Sequence, residues 1–333
     1  MSRPPKSPPV PSPSLDAALR PVSWDEFVGQ KQVKDNVRVS IDAAKKRGGM
    51  PEHILFYGPP GVGKTTLAHL VAATLEAPFK STSGVAIERA GDLAAILTNL
   101  EPNTVLFIDE IHRLSRKIEE LLYPALESGH LDIVLGKGPS ARTVELALSP
   151  FTLVGATTRV AELSGPLRSR FGGGTFQLDF YSEDDLRDII RRSAQLLNLS
   201  APEEVVERVA ARSRATPRVA NALLKRVRDF SEVHERKLSA ALCDEACELF
   251  GIDAFGLTKD DRRYLETLLK SFRGGPAGVR AVAAALHEDP DTVEHVYEPY
   301  LLRLGFIERS PRGRILTKRG RDYLNGEKLG GMF

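Results

Sequence analysis

Residues Leu55–Thr66 constrain this chain more than any other stretch. An apolar run, Leu55-Phe56-Tyr57, ends in Gly58-Pro59-Pro60-Gly61-Val62-Gly63-Lys64-Thr65, which is the pattern G-x-x-x-x-G-K-T. A helical pattern follows at once, with Leu67, Leu70, Val71 and Leu75 on one face. The glycines let a loop bend tightly enough for successive backbone N–H groups to turn inward around phosphate oxygens. A helix starting at Gly63 or Lys64 aims the positive end of its dipole at the same anion. Lys64 would reach the terminal phosphates and the Thr65 hydroxyl would hold Mg²⁺. The stretch reads as a nucleotide phosphate site.

A second strand pattern, Thr104-Val105-Leu106-Phe107-Ile108, carries Asp109 and Glu110 at its carboxyl end. In an open α/β sheet ligands bind at that end. Phe151-Thr152-Leu153-Val154-Gly155-Ala156 is a third buried strand, ending in the hydroxyls of Thr157 and Thr158. The alternation of strands and helices predicts a mostly parallel sheet. Leu131–Leu135 and Thr143–Leu148 alternate with period two around Gly136–Ser140, which predicts a β-hairpin inserted in that domain. It either extends the sheet or protrudes as a docking element for a partner.

From Ser182 the pattern becomes wholly helical. Ser182 with Asp185, and Ser200 with Glu203, have capping-box spacing, and a third helix opens at Thr216-Pro217. From Thr258 three helices are predicted, the third capped by Asp291 with Val296, Tyr297, Tyr300 and Leu301 inward. Two short strands around Ser310-Pro311-Arg312-Gly313 complete the order of a winged helix. The net charge of +2 names no nucleic-acid partner, but between Leu302 and Arg321 seven basic residues stand against one acid. Such local charge on a wing suits the phosphates of duplex DNA.

The fold expected is therefore an α/β P-loop domain with an inserted hairpin, a small all-α lid domain and a C-terminal winged helix. The boundaries expected are a Pro-rich tail at 1–18, with six prolines in its first fourteen residues, then domains at 19–181, 182–256 and 257–333. Cys243 and Cys247 read as reduced thiols. The apolar runs fall short of a membrane span and no signal sequence opens the chain, so the cytoplasm is expected.

The loop at Gly58–Thr66, the box Asp109-Glu110-Ile111-His112-Arg113-Leu114, Gly155–Arg159, Pro166–Phe171 and Thr216-Pro217-Arg218 together resemble an AAA+ ATPase. Ser83-Gly84, Gly91–Leu100, Tyr297-Glu298-Pro299-Tyr300 and Arg309–Arg314 narrow the resemblance to the RuvB family of Holliday-junction branch-migration motors. It covers about Leu19 to Leu324. The resemblance implies ATP and Mg²⁺, with Gly61, Gly63, Lys64, Thr65 and Thr66 on the phosphates. Asp109 would hold the metal shell with Thr65, and Glu110 would orient or deprotonate water. Thr157 or Thr158 would sense the γ-phosphate, Thr158 being carried as the site residue. Arg218 would contact the nucleotide, and Leu19, Arg20 and Tyr181 would border the adenine. Arg170 matches an arginine finger acting in trans, which implies a homo-hexameric ring. Arg309 and Arg314 would touch the DNA backbone. The 131–148 hairpin would dock RuvA, and the RuvC resolvase would be a further partner.

The chain departs from the family pattern near the finger. Ser169 stands where Asp is usual, and Gly172-Gly173-Gly174-Thr175 is one residue longer than expected, adding backbone freedom beside Arg170. The competing functional readings are an initiator or clamp-loader-like switch that hydrolyses ATP without translocating, and a winged-helix regulator.

Overall fold

The computed structural model describes residues 15–135 and 142–326. Most of the proline-rich tail and the hairpin tip Gly136–Ser140 lie outside the described residues. Leu15–Ala18 form one helical turn. The chain divides into two compact units: residues up to Leu196 together with Thr216–Asn221, and Leu197–Ala215 together with the chain from Ala222.

The first unit is built on five parallel strands. They are β1 (Ile54–Tyr57), β2 (Phe79–Ser83), β3 (Thr104–Asp109), β6 (Phe151–Thr157) and β7 (Thr175–Gln177), in the order β2-β3-β6-β1-β7. All of β6, and β3 up to Ile108, are buried, as expected of central strands covered on both faces. β7 was not legible in the sequence; it has three residues, two of them exposed. Tyr57 pairs with Thr157 and Ile108 with Gly155, so the carboxyl ends of β1, β3 and β6 lie side by side. The phosphate loop, Asp109-Glu110 and Thr157-Thr158 all leave the sheet there. Strands β4 (His130–Leu135) and β5 (Arg142–Ala147) pair antiparallel as a sheet of their own, so the hairpin does not extend the central sheet.

Helix Lys31–Lys46 buries Val33, Val37, Ile41 and Ala44, as its periodicity requires. Helix Glu183–Leu196 starts at Ser182, whose Oγ accepts from the Asp185 N–H at 3.1 Å and donates to its carboxylate at 2.8 Å. Ser200 does not cap the next helix. That helix runs Glu203–Ala211 from Pro202, whose carbonyl takes the first N–H bonds.

In the second unit, helices Lys259–Phe272 and Val279–Leu286 pack with β8 (Ile307–Ser310) and β9 (Gly313–Leu316) around Tyr264, Leu265, Leu301 and Phe306. Ala277 bridges Arg314 and adds a third short rung. The wing turn is tighter than expected, because Ser310 and Gly313 belong to the strands. Helix Lys318–Leu324 comes next, unseen in the sequence pattern.

The third helix begins earlier than expected, capped by Asp289 rather than Asp291. A π turn at Val293–Tyr297 then leads into helix Glu298–Arg303. A π turn widens the ring by one residue and rotates the next turn of helix about its axis. Val293 takes the buried position, and Val296, expected inward, is 59% exposed. Cys243 and Cys247 are free thiols buried on helix Ala240–Leu249.

Candidate nucleotide site and winged helix

The phosphate loop owes its shape to glycines at positive φ: Gly58 at 146°, Gly61 at 81° and Gly63 at 104°. At Gly58 a Cβ would lie 2.2 Å from the Leu178 carbonyl oxygen, and at Gly61 it would lie 2.9 Å from the Arg218 Cβ. Close backbone approach therefore requires glycine at both. Helix Lys64–Leu75 starts directly from Gly63.

Lys64 is buried, and its ammonium donates to the carbonyls of Gly58 and Pro59, each at 2.8 Å. Burial pushes its pKa down to about 8, against the opposing pull of Glu110 and Asp109. Burial raises the Asp109 carboxyl, while the Glu110 N–H, Lys64 and Arg218 pull it back. Glu110 adopts the left-handed region at φ 47°. Its Oε2 accepts from the Thr158 hydroxyl at 3.2 Å and lies 3.2 Å from His112 Nδ1. Burial lowers the His112 pKa more than the Glu110 charge raises it, so this contact is one to a neutral ring. Gly84 fixes the backbone beneath: a Cβ there would sit 2.4 Å from the Glu110 carbonyl oxygen.

The two threonines differ. Thr157 is fully buried, with Oγ1 2.9 Å from His112 Nδ1 and accepting from the Arg159 N–H at 2.9 Å. Thr158 faces the Glu110 carboxylate.

A cleft of about 450 Å³ gathers most of the expected residues: Leu19, Arg20, Gly61, Gly63, Lys64, Thr65, Thr66, Asp109, Glu110, Tyr181 and Arg218. The Arg218 N–H donates to the Gly61 carbonyl at 3.4 Å, and the Tyr181 hydroxyl donates to that of Val62 at 3.1 Å. Burial raises the Tyr181 phenol, keeping it a neutral donor. The half-buried Asp109 carboxylate and the Thr65 hydroxyl, in the first turn of helix Lys64–Leu75, line the same cleft and offer hard oxygens that fit a divalent cation such as Mg²⁺. The loop and Lys64 fit polyphosphate.

Pro21, Glu26, Phe27, Val28, Ile189, Arg192 and Asn221 also line the cleft, and the sequence assigned none of them to it. Arg192 donates to the Leu19 carbonyl at 2.9 Å and pairs with Glu26, so it pins one rim of the cleft. Phe27 packs its ring against Gly63.

Arg170 is not among the residues lining this cleft. It follows helix Gly165–Ser169, lies 4.2 Å over the Tyr123 ring, and pairs with Glu127 at 2.9 Å. The glycine run beside it is closely packed. A Cβ at Gly172 or Gly173 would strike Glu52, and one at Gly174 would strike the Phe176 ring. The Gly173 N–H also donates to the His53 carbonyl at 2.9 Å. Gly173 and Gly174 serve close approach, and the segment beside Arg170 is anchored.

In the wing, Arg309 and Arg314 converge on one carboxylate. Glu298 is fully buried and receives Arg309 at 2.7 and 3.0 Å and Arg314 at 2.8 and 3.2 Å. The Tyr264 hydroxyl donates to it at 3.2 Å, and Arg314 also reaches Glu294 at 3.1 Å. Arg314 is 13% exposed and Arg309 43%. The charge count did not show this pairing, since Glu294 and Glu298 lie just upstream of the basic stretch.

The three parts in this order match three family models. Residues 19–176 match the Holliday junction DNA helicase RuvB P-loop domain, 181–253 the RuvB AAA lid domain, and 254–325 the RuvB C-terminal winged helix domain. A curated relative, the Holliday junction branch migration complex subunit RuvB of Dehalococcoides mccartyi strain CBDB1, is 54% identical over 312 residues, covering 93% of this chain and 89% of the relative. The chain belongs to the RuvB family. Among solved structures, the Thermotoga maritima RuvB Holliday junction branch migration motor superposes with a TM-score of 0.84 at 45% identity, over 94% of this chain and 99% of that one. A point mutant of the T. maritima protein gives 0.85 at 46% identity, over 93% and 99%. RuvB family membership makes the cleft a nucleotide-binding P-loop site and the fold that of an AAA+ ATPase with a winged helix. No helix among the described residues is long and apolar enough to cross a membrane.

Proposed function

We propose that this protein is an ATP-driven motor that moves duplex DNA and drives branch migration of Holliday junctions in recombination and repair. The observation that carries this is Glu110, set between Asp109 and the Thr158 hydroxyl at the end of the phosphate-loop sheet, in a chain that also carries a winged helix. A DNA-binding switch that does not track is not favoured by RuvB family membership.

Hydrolysis transfers the γ-phosphoryl group of ATP to water, and the protein's part is positioning and charge stabilisation. Lys64 exchanges the carbonyls of Gly58 and Pro59 for phosphate oxygens, and the loop N–H groups with Thr66 hold the rest. Asp109 and Thr65 would hold Mg²⁺, which would supply positive charge beside the phosphates. Glu110 orients the attacking water and takes its proton. Thr158, already bonded to Glu110, senses the γ-phosphate. Arg218 contacts the nucleotide from the first turn of helix Pro217–Val233, and Leu19, Arg20 and Tyr181 border the adenine. Arg170 completes the site of the next subunit in a homo-hexameric ring.

The domains follow the division 19–181, 182–256 and 257–333, and the protein works in the cytoplasm. RuvA docks on the 131–148 hairpin, and RuvC is a further partner. Arg309 touches the DNA backbone with its exposed face, while Arg314 holds the wing through Glu298 and contacts phosphate at its edge. Phosphate contacts position a motor without reading sequence.

Arg309→Ala should weaken duplex binding about equally on unrelated sequences and lower the salt slope by about one unit, measured by fluorescence anisotropy across a salt series. Arg314→Ala should in addition destabilise the winged helix, by about 2–4 kcal/mol, because it takes a guanidinium from a buried carboxylate. Displacement of a triplex-forming strand from duplex DNA tests the motor. ATP-dependent displacement is expected, and ATP turnover without displacement would contradict the proposal.

A further inference from the structure

The chain passes from the second unit back into the first between Ala215 and Thr216. Arg214 and Ala215 both adopt the left-handed region, at φ 53° and 55°. Neither has the side chain that region favours, so the surroundings must impose this double bend.

Arg214 is what the surroundings hold. Its Nη1 donates to Asp261 Oδ2 at 2.5 Å and its Nη2 to Oδ1 at 3.2 Å, a two-pronged pair to a carboxylate with no exposed surface. The guanidinium also lies 4.9 Å from the Tyr300 ring centre. Asp261 belongs to the first helix of the winged helix, where Thr258 donates to it from its N–H and its hydroxyl, each at 2.8 Å. Tyr300 is fixed in turn by its hydroxyl bond to the Phe255 carbonyl at 2.8 Å. Two residues upstream, the Arg212 carbonyl packs so closely on Gly256 that a Cβ there would lie 2.6 Å away. The stretch before the double bend is therefore fastened to the winged helix by a buried ion pair, a ring contact and a backbone contact.

Arg218, which lines the nucleotide cleft, lies four residues after Arg214. We propose that Arg214 couples the nucleotide site to the DNA-binding wing. By clamping the chain to Asp261 immediately before Thr216–Asn221, it makes the winged helix follow any displacement of that segment. Arg214 is a positioning residue that touches neither nucleotide nor DNA. The fork geometry explains the residue type, since a lysine would meet the carboxylate as a point charge and leave one oxygen without its partner. Ala215 keeps the joint stiff, where glycine at the same φ would relax the bend and widen the angles open to it. This inference rests on the motor reading above.

The test measures ATP hydrolysis and junction migration in the same reaction and takes their ratio. The wild type must first migrate junctions, and its failure to do so would refute the motor reading and not the role of Arg214. Arg214→Ala is expected to keep the KM for ATP, with migration per ATP falling about tenfold, and Arg214→Lys should recover part of the loss. Parallel loss of hydrolysis and migration, or a ratio equal to that of the wild type, would overturn the inference. Should Arg214→Ala not fold, Ala215→Gly decides. Its melting temperature should be equal or higher while migration per ATP falls about threefold, and an unchanged ratio would overturn the inference.

Discussion

Glu110→Gln is expected to bind ATP as tightly as the wild type and to hydrolyse it about 10²–10⁴-fold more slowly. The substitution keeps the side chain's size and its acceptor for Thr158, and it leaves Lys64, Thr65 and Asp109 in place. What it removes is the negative oxygen proposed to orient water and accept its proton. The backbone should hold, because Glu110's left-handed conformation is seated against Gly84 and not on its own side chain. Nucleotide affinity by fluorescence titration and phosphate release by a coupled assay check the two halves separately. Normal phosphate release would remove Glu110 from the chemistry.

Arg170→Ala should lower hydrolysis by about 10³–10⁵-fold, the range of a lost arginine finger. The ion pair to Glu127, whose carboxylate is 56% exposed, contributes little to stability, so the variant should fold. Arg170 stands apart from the residues lining its own chain's cleft, and its Nε is buried without a partner among the described residues. Its Nη atoms are held by the Glu127 carboxylate and the Pro166 carbonyl, partners that a neighbour's phosphate would have to replace. Mixing separately inactive Arg170→Ala and Glu110→Gln subunits should then restore part of the turnover. An Arg170→Ala subunit keeps its own Glu110 and receives a finger from its Glu110→Gln neighbour. If the mixture stays as inactive as its components, the finger does not act in trans.

The centre of the nucleotide site was legible because its parts are local and directional. Glycine spacing before Lys64 dictates a loop, and runs such as Val105–Ile108 and Leu153–Ala156 are apolar because both of their faces are covered. Leu19, Arg20 and Tyr181 came from resemblance alone, as no spacing places them on one cleft. Glu26, Phe27 and Arg192 were missed for the same reason: they meet only after residues far apart in sequence pack together.

Elsewhere, pattern reading failed where local geometry changed. The π turn at Val293–Tyr297 breaks the 3.6-residue period, and Val296 turns outward as a result. The glycine run at 172–174 suggested freedom, yet Gly173 sits against the Glu52 and His53 carbonyls and Gly174 holds a φ of 118° against the Phe176 ring. In the wing, counting charges found the arginines but not their partner. A buried glutamate eleven residues before Arg309 cannot be told from a solvated one until Tyr264 and the two guanidiniums are seen around it.

The central claim is that hydrolysis at Glu110 moves a DNA crossover gripped by the winged helix. It is tested most directly by following strand exchange on a synthetic four-way junction with homologous arms, with ATP, in the presence and absence of RuvA. The account predicts exchange that needs ATP, speeds up with RuvA and disappears in Glu110→Gln. Full-rate ATP hydrolysis with RuvA present and the crossover stationary would contradict it.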